Sequence, residues 1–261
     1  MNIDKAMVKN YISDTLVMTV RVLKHKLRSL DTIITVIVMP VMMMMGSVYI
    51  FGAMMDMPTN DYVNYLVPAI IVFSIVTGVG YSAVRLNIDV QKGIFERFHS
   101  MPISKSSILG GHILTSVIFN MLSAFCVVCV AWLMGFHPEG SWYKWIIAVG
   151  ILLLFTVSMT WVAVASGLWA KTQEGAGVFS YLLLAITFTS SGFVKTDNMG
   201  PVLKAFADNQ PLTPVMNSVR SLLVYNEYPP KGSLWVALVW FVAIWIVFQT
   251  LSIWIYKRRM S

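Results

Sequence analysis

The residues best suited to chemistry are few in this chain, and their spacing works against it. Cys126 and Cys129 form a C-x-x-C pair, the spacing of redox dithiols and of half a zinc site. No second ligand pair lies nearby, and Ala124, Phe125, Val127, Val128 and Val130 surround the thiols, so both read as small buried hydrophobes. His25, His99, His112 and His137 are scattered, without the i, i+4 spacing or the carboxylate partners that hold a metal ion, and no metal site is expected. No glycine precedes a lysine, so the phosphate loop that cradles ATP is missing. A Gly-x-Ser-x-Gly nucleophile elbow is missing as well. The chain is expected to bind no cofactor of its own and to catalyse nothing alone.

The elements that would position any site are apolar and long. Of 261 residues, 57% are hydrophobic and 12% charged, with a mean hydropathy of +0.72, too little polar surface to cover a water-soluble core. Runs near Thr32–Ala53, Tyr62–Val84, Ile108–Met134, Trp145–Ala170, Gly177–Val194 and Leu234–Tyr256 each suffice for about 30 Å of hydrocarbon. The expectation is an all-α polytopic membrane protein with six transmembrane helices and both termini on one side.

Lys and Arg in the short loops and tails set that side. Lys5, Lys9, Arg21, Lys24, Lys26, Arg28, Arg85, Lys92, Arg97, Lys105, Lys171, Lys257, Arg258 and Arg259 fall together, against Lys144, Lys195, Lys204, Arg220 and Lys231 opposite. Both termini are therefore expected in the cytoplasm. The formal charge of +7 is dispersed along those edges, where it meets anionic lipid, and forms no stripe for nucleic acid. No cleavable leader is read at the start, and the first span serves as its own insertion signal.

Between the spans the chain is patterned. Ile3, Met7, Tyr11, Ile12, Leu16, Val20, Leu23 and Leu27 recur at helical spacing among charges, the mark of an interfacial amphipathic helix over residues 1–30. Pro40 is expected to kink the first span. The loop from Arg85 to Lys105 is too charged to be buried; Ile94, Phe95 and Phe98 give a short helix an apolar side, with Glu96, Arg97 and His99 elsewhere and Pro102 as its stop. That exposed helix is a docking element. In the outer segment 195–231, two short amphipathic helices around Val202–Phe206 and Val215–Leu223 are broken at the prolines and dip into the outer leaflet before the last span, 234–256.

Ion-coupled transport is not expected, because Asp31, Asp56 and Asp89 all fall at or beyond span ends. The spans hold uncharged polar residues instead, and interhelical hydrogen bonding is their first reading, as for the small-residue ladder Ser74, Gly78, Ser82. Asn120 foremost, then Thr156 and Thr187, are the candidates to line a substrate path.

Four stretches, in order, carry a family resemblance: Leu23–Arg28 leading to Met39-Pro40-Val41 and Tyr49–Gly52; Tyr65–Ile70; Gly93–Phe98 with Met101-Pro102-Ile103-Ser104; and Gln210-Pro211-Leu212-Thr213-Pro214 followed by Val219-Arg220. Taken together the chain resembles the ABC-2 type permeases, the daunorubicin-resistance-like drug exporters in particular, over nearly its whole length as one domain. The Met42–Met45 run departs from the family pattern. The resemblance implies a permease that pairs, as a homodimer or with a near relative, and docks two ABC ATP-binding subunits that hold the ATP and magnesium. It implies that Gly93, Ile94, Phe95, Glu96, Arg97, Phe98, His99 and Met101 form the coupling helix seated in the ATPase. The arm with Arg21, Lys24, Lys26 and Arg28 becomes the connecting helix, and residues from Pro201 to Leu223 become outer re-entrant helices. Hydrophobic or amphipathic drug-like compounds are the implied cargo. A lipid or lipid-linked glycan exporter of the same type, and a non-pumping immunity protein, are the alternatives.

Overall fold

The computed structural model describes residues 2–51, 59–95, 105–193, 200–225 and 233–260. Among them every regular element is a helix. α1 (Asn2–Arg28) is the arm, and α2 is the first candidate span (Leu30–Ile50). Then come α3 (Thr59–Gln91), α4 (Lys105–Leu133), α5 (Trp142–Trp169) and α6 (Gln173–Phe188). Two short helices, α7 (Pro201–Asn209) and α8 (Leu212–Leu223), precede the last, α9 (Ser233–Met260).

α3 is the hub. Val63, Leu66, Val67, Ile70, Ile71, Ile75 and Val79 are all buried, so the helix is apolar and covered nearly all round, the state of a helix with no solvent or lipid face. α2, α4, α5, α6 and α8 pack about it. α9 instead leaves Val239, Trp240, Ile246 and Val247 exposed, a surface fit for lipid.

The arm meets the first span at one residue. Ser29 is extended (φ −90°, ψ 109°) and its hydroxyl accepts from the Thr32 N–H, so a serine N-cap starts α2 one residue after α1 stops. α1 turns Met18 and Thr19 toward α4. Gly111 permits that approach, since a Cβ there would lie 2.6 Å from the Met18 Cβ. Ile12, Leu16, Val17 and Val20 remain exposed along the arm.

Pro40 lies inside α2 without breaking it. The ring has no N–H for the Val36 carbonyl four residues back. Ser123 of α4 supplies the missing donor, its Oγ donating to Val36 O at 2.5 Å. The preceding segment, Ile34–Val38, widens into a π-helix in which the Met39 N–H reaches back to Ile34 O. Pro40 is thus accommodated by a wider turn and a borrowed partner.

Two sequence expectations shift. Five helices among the described residues are long and apolar enough to cross a membrane. The expected fifth run is not among them: its helix, α6, begins earlier, at Gln173, and stops at Phe188, sixteen residues or about 24 Å of rise. Nor does a loop open at Arg85. α3 continues to Gln91, and its buried Asn87 donates to Gly167 O at 2.9 Å and Ala170 O at 2.7 Å at the end of α5.

The bundle has two ends. At one, Asn87 and Gln91 of α3 bond to Gly167, Ala170 and Lys171, and Arg259 of α9 donates to Leu168 O. Lys26 of the arm reaches Ser82 near the same end. At the other end Tyr65 of α3 donates to Ser191 O, just past α6, and the Glu139 and Gly140 N–H groups donate to Leu223 O of α8. α6 therefore links the two ends, and the arm and the C-terminal helix tip lie together.

Ser123→Ala should destabilise the protein by about 1 kcal/mol, as measured by reversible denaturation in mixed micelles. In a Pro40→Ala background, where residue 40 regains its N–H, the same change should cost nearly nothing. Equal costs in both backgrounds would show that Val36 O does not depend on Ser123.

Candidate functional site

The turn after α3 is the first element of the site. Lys92 and Gly93 close the helix, with the Gly93 N–H donating to Val90 O at 3.1 Å. Gly93 has φ 65°, a left-handed value that glycine adopts without the strain of a Cβ, and the chain reverses there. Phe95 then turns inward. It is 1% exposed, stacks on His112 (5.8 Å between centroids, 18° between planes) and meets Tyr256 edge-on at 6.1 Å. The expected aromatic knob is thus an anchor: Phe95 fastens the turn to α4 and α9 and is not available to a partner. Glu96, Arg97, Phe98, His99 and Met101 lie outside the described residues.

His112 carries a second surprise. Sequence spacing gave it no carboxylate, yet its Nε2 lies 3.5 Å from Asp89 Oδ2, because α3 continues as helix far enough to bring Asp89 across. No group of three or more potential metal ligands forms among the described residues. The pair joins α3 to α4 beside the anchored turn.

Above it lies a polar node that sequence reasoning missed. Lys26 Nζ donates to Ser82 Oγ at 3.2 Å, and Ser82 Oγ shares a hydrogen bond with Ser116 Oγ at 2.9 Å. Asn120 Nδ2 and Thr160 Oγ1 donate to the same Ser116 Oγ at 3.3 Å and 3.5 Å. Four helices, α1, α3, α4 and α5, therefore meet through the Ser82–Ser116 pair. The i, i+4 spacing of Ser116 and Asn120 was a usable signal. The crossing of Lys26 from the arm was not.

The candidate path residues are placed separately. Asn120 faces Gly78, where any Cβ would lie 1.9 Å from Asn120 Oδ1, so the amide packs tightly between α4 and α3. Thr156 and Thr187 donate to Leu152 O and Leu183 O within their own helices. All three are buried. Of the arm cations, Lys26 is buried while Arg21, Lys24 and Arg28 are exposed.

At the other end the prolines do as expected, with one refinement. Pro211 separates α7 from α8, but Pro214 lies within the first turn of α8, where no helical N–H is needed. Arg220 locks this hairpin. Its guanidinium donates to Tyr65 O at 3.2 Å, Asn217 Oδ1 at 3.2 Å, Ser191 O at 3.4 Å and Gly192 O at 3.2 Å, and lies 4.0 Å over the Tyr65 ring. The fork geometry of arginine serves three chain segments at once.

Burial first, and then the nearby Arg85 charge, lower the Lys26 ammonium from 10.5 to about 8 against a smaller opposing pull from Asp89. The folded protein thus releases this proton more readily than the unfolded chain. Between about pH 8 and pH 10.5 the unfolded state binds the extra proton, so stability should rise with pH across that window. Lys26→Met should remove that rise. An identical pH profile for the variant would dismiss Lys26 as its source.

Comparison with known proteins agrees with this geometry. Residues 13–224 match the family model of the ABC-2 type transporter. The daunorubicin resistance ABC transporter permease protein DrrB1 of Streptomyces coeruleorubidus is 27% identical over 192 residues, covering 73% of this chain and 68% of that protein. The probable doxorubicin resistance ABC transporter permease protein DrrC of Mycobacterium tuberculosis is 25% identical over 244 residues, 91% of this chain and 86% of that one. With the match spanning the arm, the hub helix, the anchored turn and the arginine-locked hairpin, this chain belongs to the ABC-2 type transporter family.

Proposed function

We propose that the chain is the permease subunit of an ATP-driven exporter that carries a hydrophobic or amphipathic, drug-like compound outward. The observation that carries this reading is the family match over residues 13–224, joined by two relatives whose names are those of daunorubicin and doxorubicin resistance permeases. A chain without a phosphate loop must borrow its energy, so ATP and magnesium belong to a separate ABC subunit, present twice beneath a homodimer of permeases.

In this reading the membrane is crossed six times. α6 is short, but it starts beside Gln91 and Lys171 and its continuation ends against Tyr65 and Arg220, which supports a crossing completed by residues 189–193. Both termini then lie in the cytoplasm. The segment from Gly93 to Met101 docks the ATPase, held from behind by Phe95, and α1 lies in the interface beside it. α7 and α8 are the outer re-entrant pair. ATP binding must favour one arrangement of the two permeases by about 5.5 kcal/mol to switch them almost completely.

Proteoliposomes holding the permease and its ATPase should export a drug-like substrate only with ATP and magnesium. Glu96→Ala or Phe98→Ala should reduce that export to background while the protein still inserts, as checked by membrane extraction. Full export in both variants would overturn the docking assignment. Movement of the compound against its gradient by the permease alone would overturn the proposal as a whole.

A further inference from the structure

The cations that lie dispersed along the sequence converge in the fold. Arg21, Lys24, Lys26 and Arg28 from α1 and Arg85 and Lys92 from the end of α3 line one cleft of about 980 Å³. Among its described lining residues Asp89 is the single acid, and that carboxylate faces His112 at 3.5 Å. Lys26 forms the floor: it is 6% exposed, bonds Ser82 and lies 5.5 Å from the centroid of the Phe119 ring. A buried ammonium beside the Arg85 guanidinium is a costly arrangement that a bound anion relieves.

The position of the cleft narrows the kind of anion. Lys26 lies four residues before Leu30, where the first candidate span begins, so the cleft opens at the level where the chain leaves the apolar layer. Val17, Val20 and Ile108 share its wall with the cations, and Val17 and Val20 are themselves exposed. A charged head with an apolar tail fits such a wall, and basic pockets at this depth take anionic lipid headgroups.

We propose that this cleft binds the phosphate of an anionic membrane phospholipid, with Lys26 and Arg85 as its principal contacts and the exposed apolar residues of α1 against the acyl chains. The site is independent of the cargo and of the ATPase assignment. It uses the cations that steady the arm against α3, so occupancy ties the arm to the hub helix.

The purified full-length permease in uncharged detergent, titrated with short-chain phosphatidylglycerol, phosphatidylcholine of the same chain length, or inorganic phosphate, tests this by thermal unfolding and native mass spectrometry. Phosphatidylglycerol should bind and stabilise, phosphatidylcholine should not, and inorganic phosphate should act weakly. Arg85→Gln and Lys24→Gln should each weaken phosphatidylglycerol binding about fivefold, the effect of one surface charge. Arg258→Gln, at the tip of α9 but not among the residues that line the cleft, should not. Because Lys26→Gln changes a buried residue, Arg85 and Lys24 carry the test even if that variant misfolds. Equal responses to both lipids, or undiminished binding in both variants, would overturn the proposal. Inorganic phosphate acting as strongly as phosphatidylglycerol would overturn the lipid and leave a free-anion site. Loss of ATPase association in Lys24→Gln with lipid binding intact would give the cleft to the partner protein instead.

Discussion

A carbonyl that loses its helical N–H partner has no water to turn to in the middle of a bilayer, and the cost of leaving it bare is several kcal/mol. Every helix end and every internal proline creates such groups. In this protein several of them are met by side chains from neighbouring helices. Ser123 serves the Val36 carbonyl freed by Pro40, and Asn87 serves Gly167 and Ala170 at the end of α5. Arg220 serves Ser191 and Gly192 past the end of α6. The same bonds that satisfy the backbone therefore fix which helices are neighbours. Apolar contact alone could not, since lipid tails offer Leu and Val nearly the same surroundings as another helix.

α3 gains its central role from this arrangement. It is 33 residues long, about 50 Å of rise, and carries Tyr65 near one end and Asn87 near the other. At the first end it is joined to the Arg220 hairpin, at the second to α5 and to the turn anchored by Phe95. The anchored turn and the α7–α8 hairpin are thus joined to opposite ends of one long helix.

The polar node at Ser116 sits within this layout as a compromise between packing and charge. Lys26 reaches it from the arm and gains Ser82 and the face of Phe119, while losing most of its hydration. Small residues make the approach possible: Gly111 lets α1 close on α4, and Gly78 leaves room for the Asn120 amide. Positive charge gathers at this end because the arm and the last turns of α3 are held side by side.

The sequence by itself determined the class of molecule. Long apolar runs without central charges admit few structures other than membrane helices, and the absence of a phosphate loop removed an energy source from the chain. The arm and the broken pair α7 and α8 were legible for the same reason: caps, prolines and periodicity act locally. Tertiary structure alone decided that Phe95 points inward, that Asp89 reaches His112, that α6 stops at Phe188, and that six scattered cations face one cleft. Each depends on how far a helix continues and against which neighbour it turns. Those choices rest on interhelical hydrogen bonds and close contacts between residues up to about 150 positions apart, such as Arg220 and Tyr65, which leave no mark in local spacing.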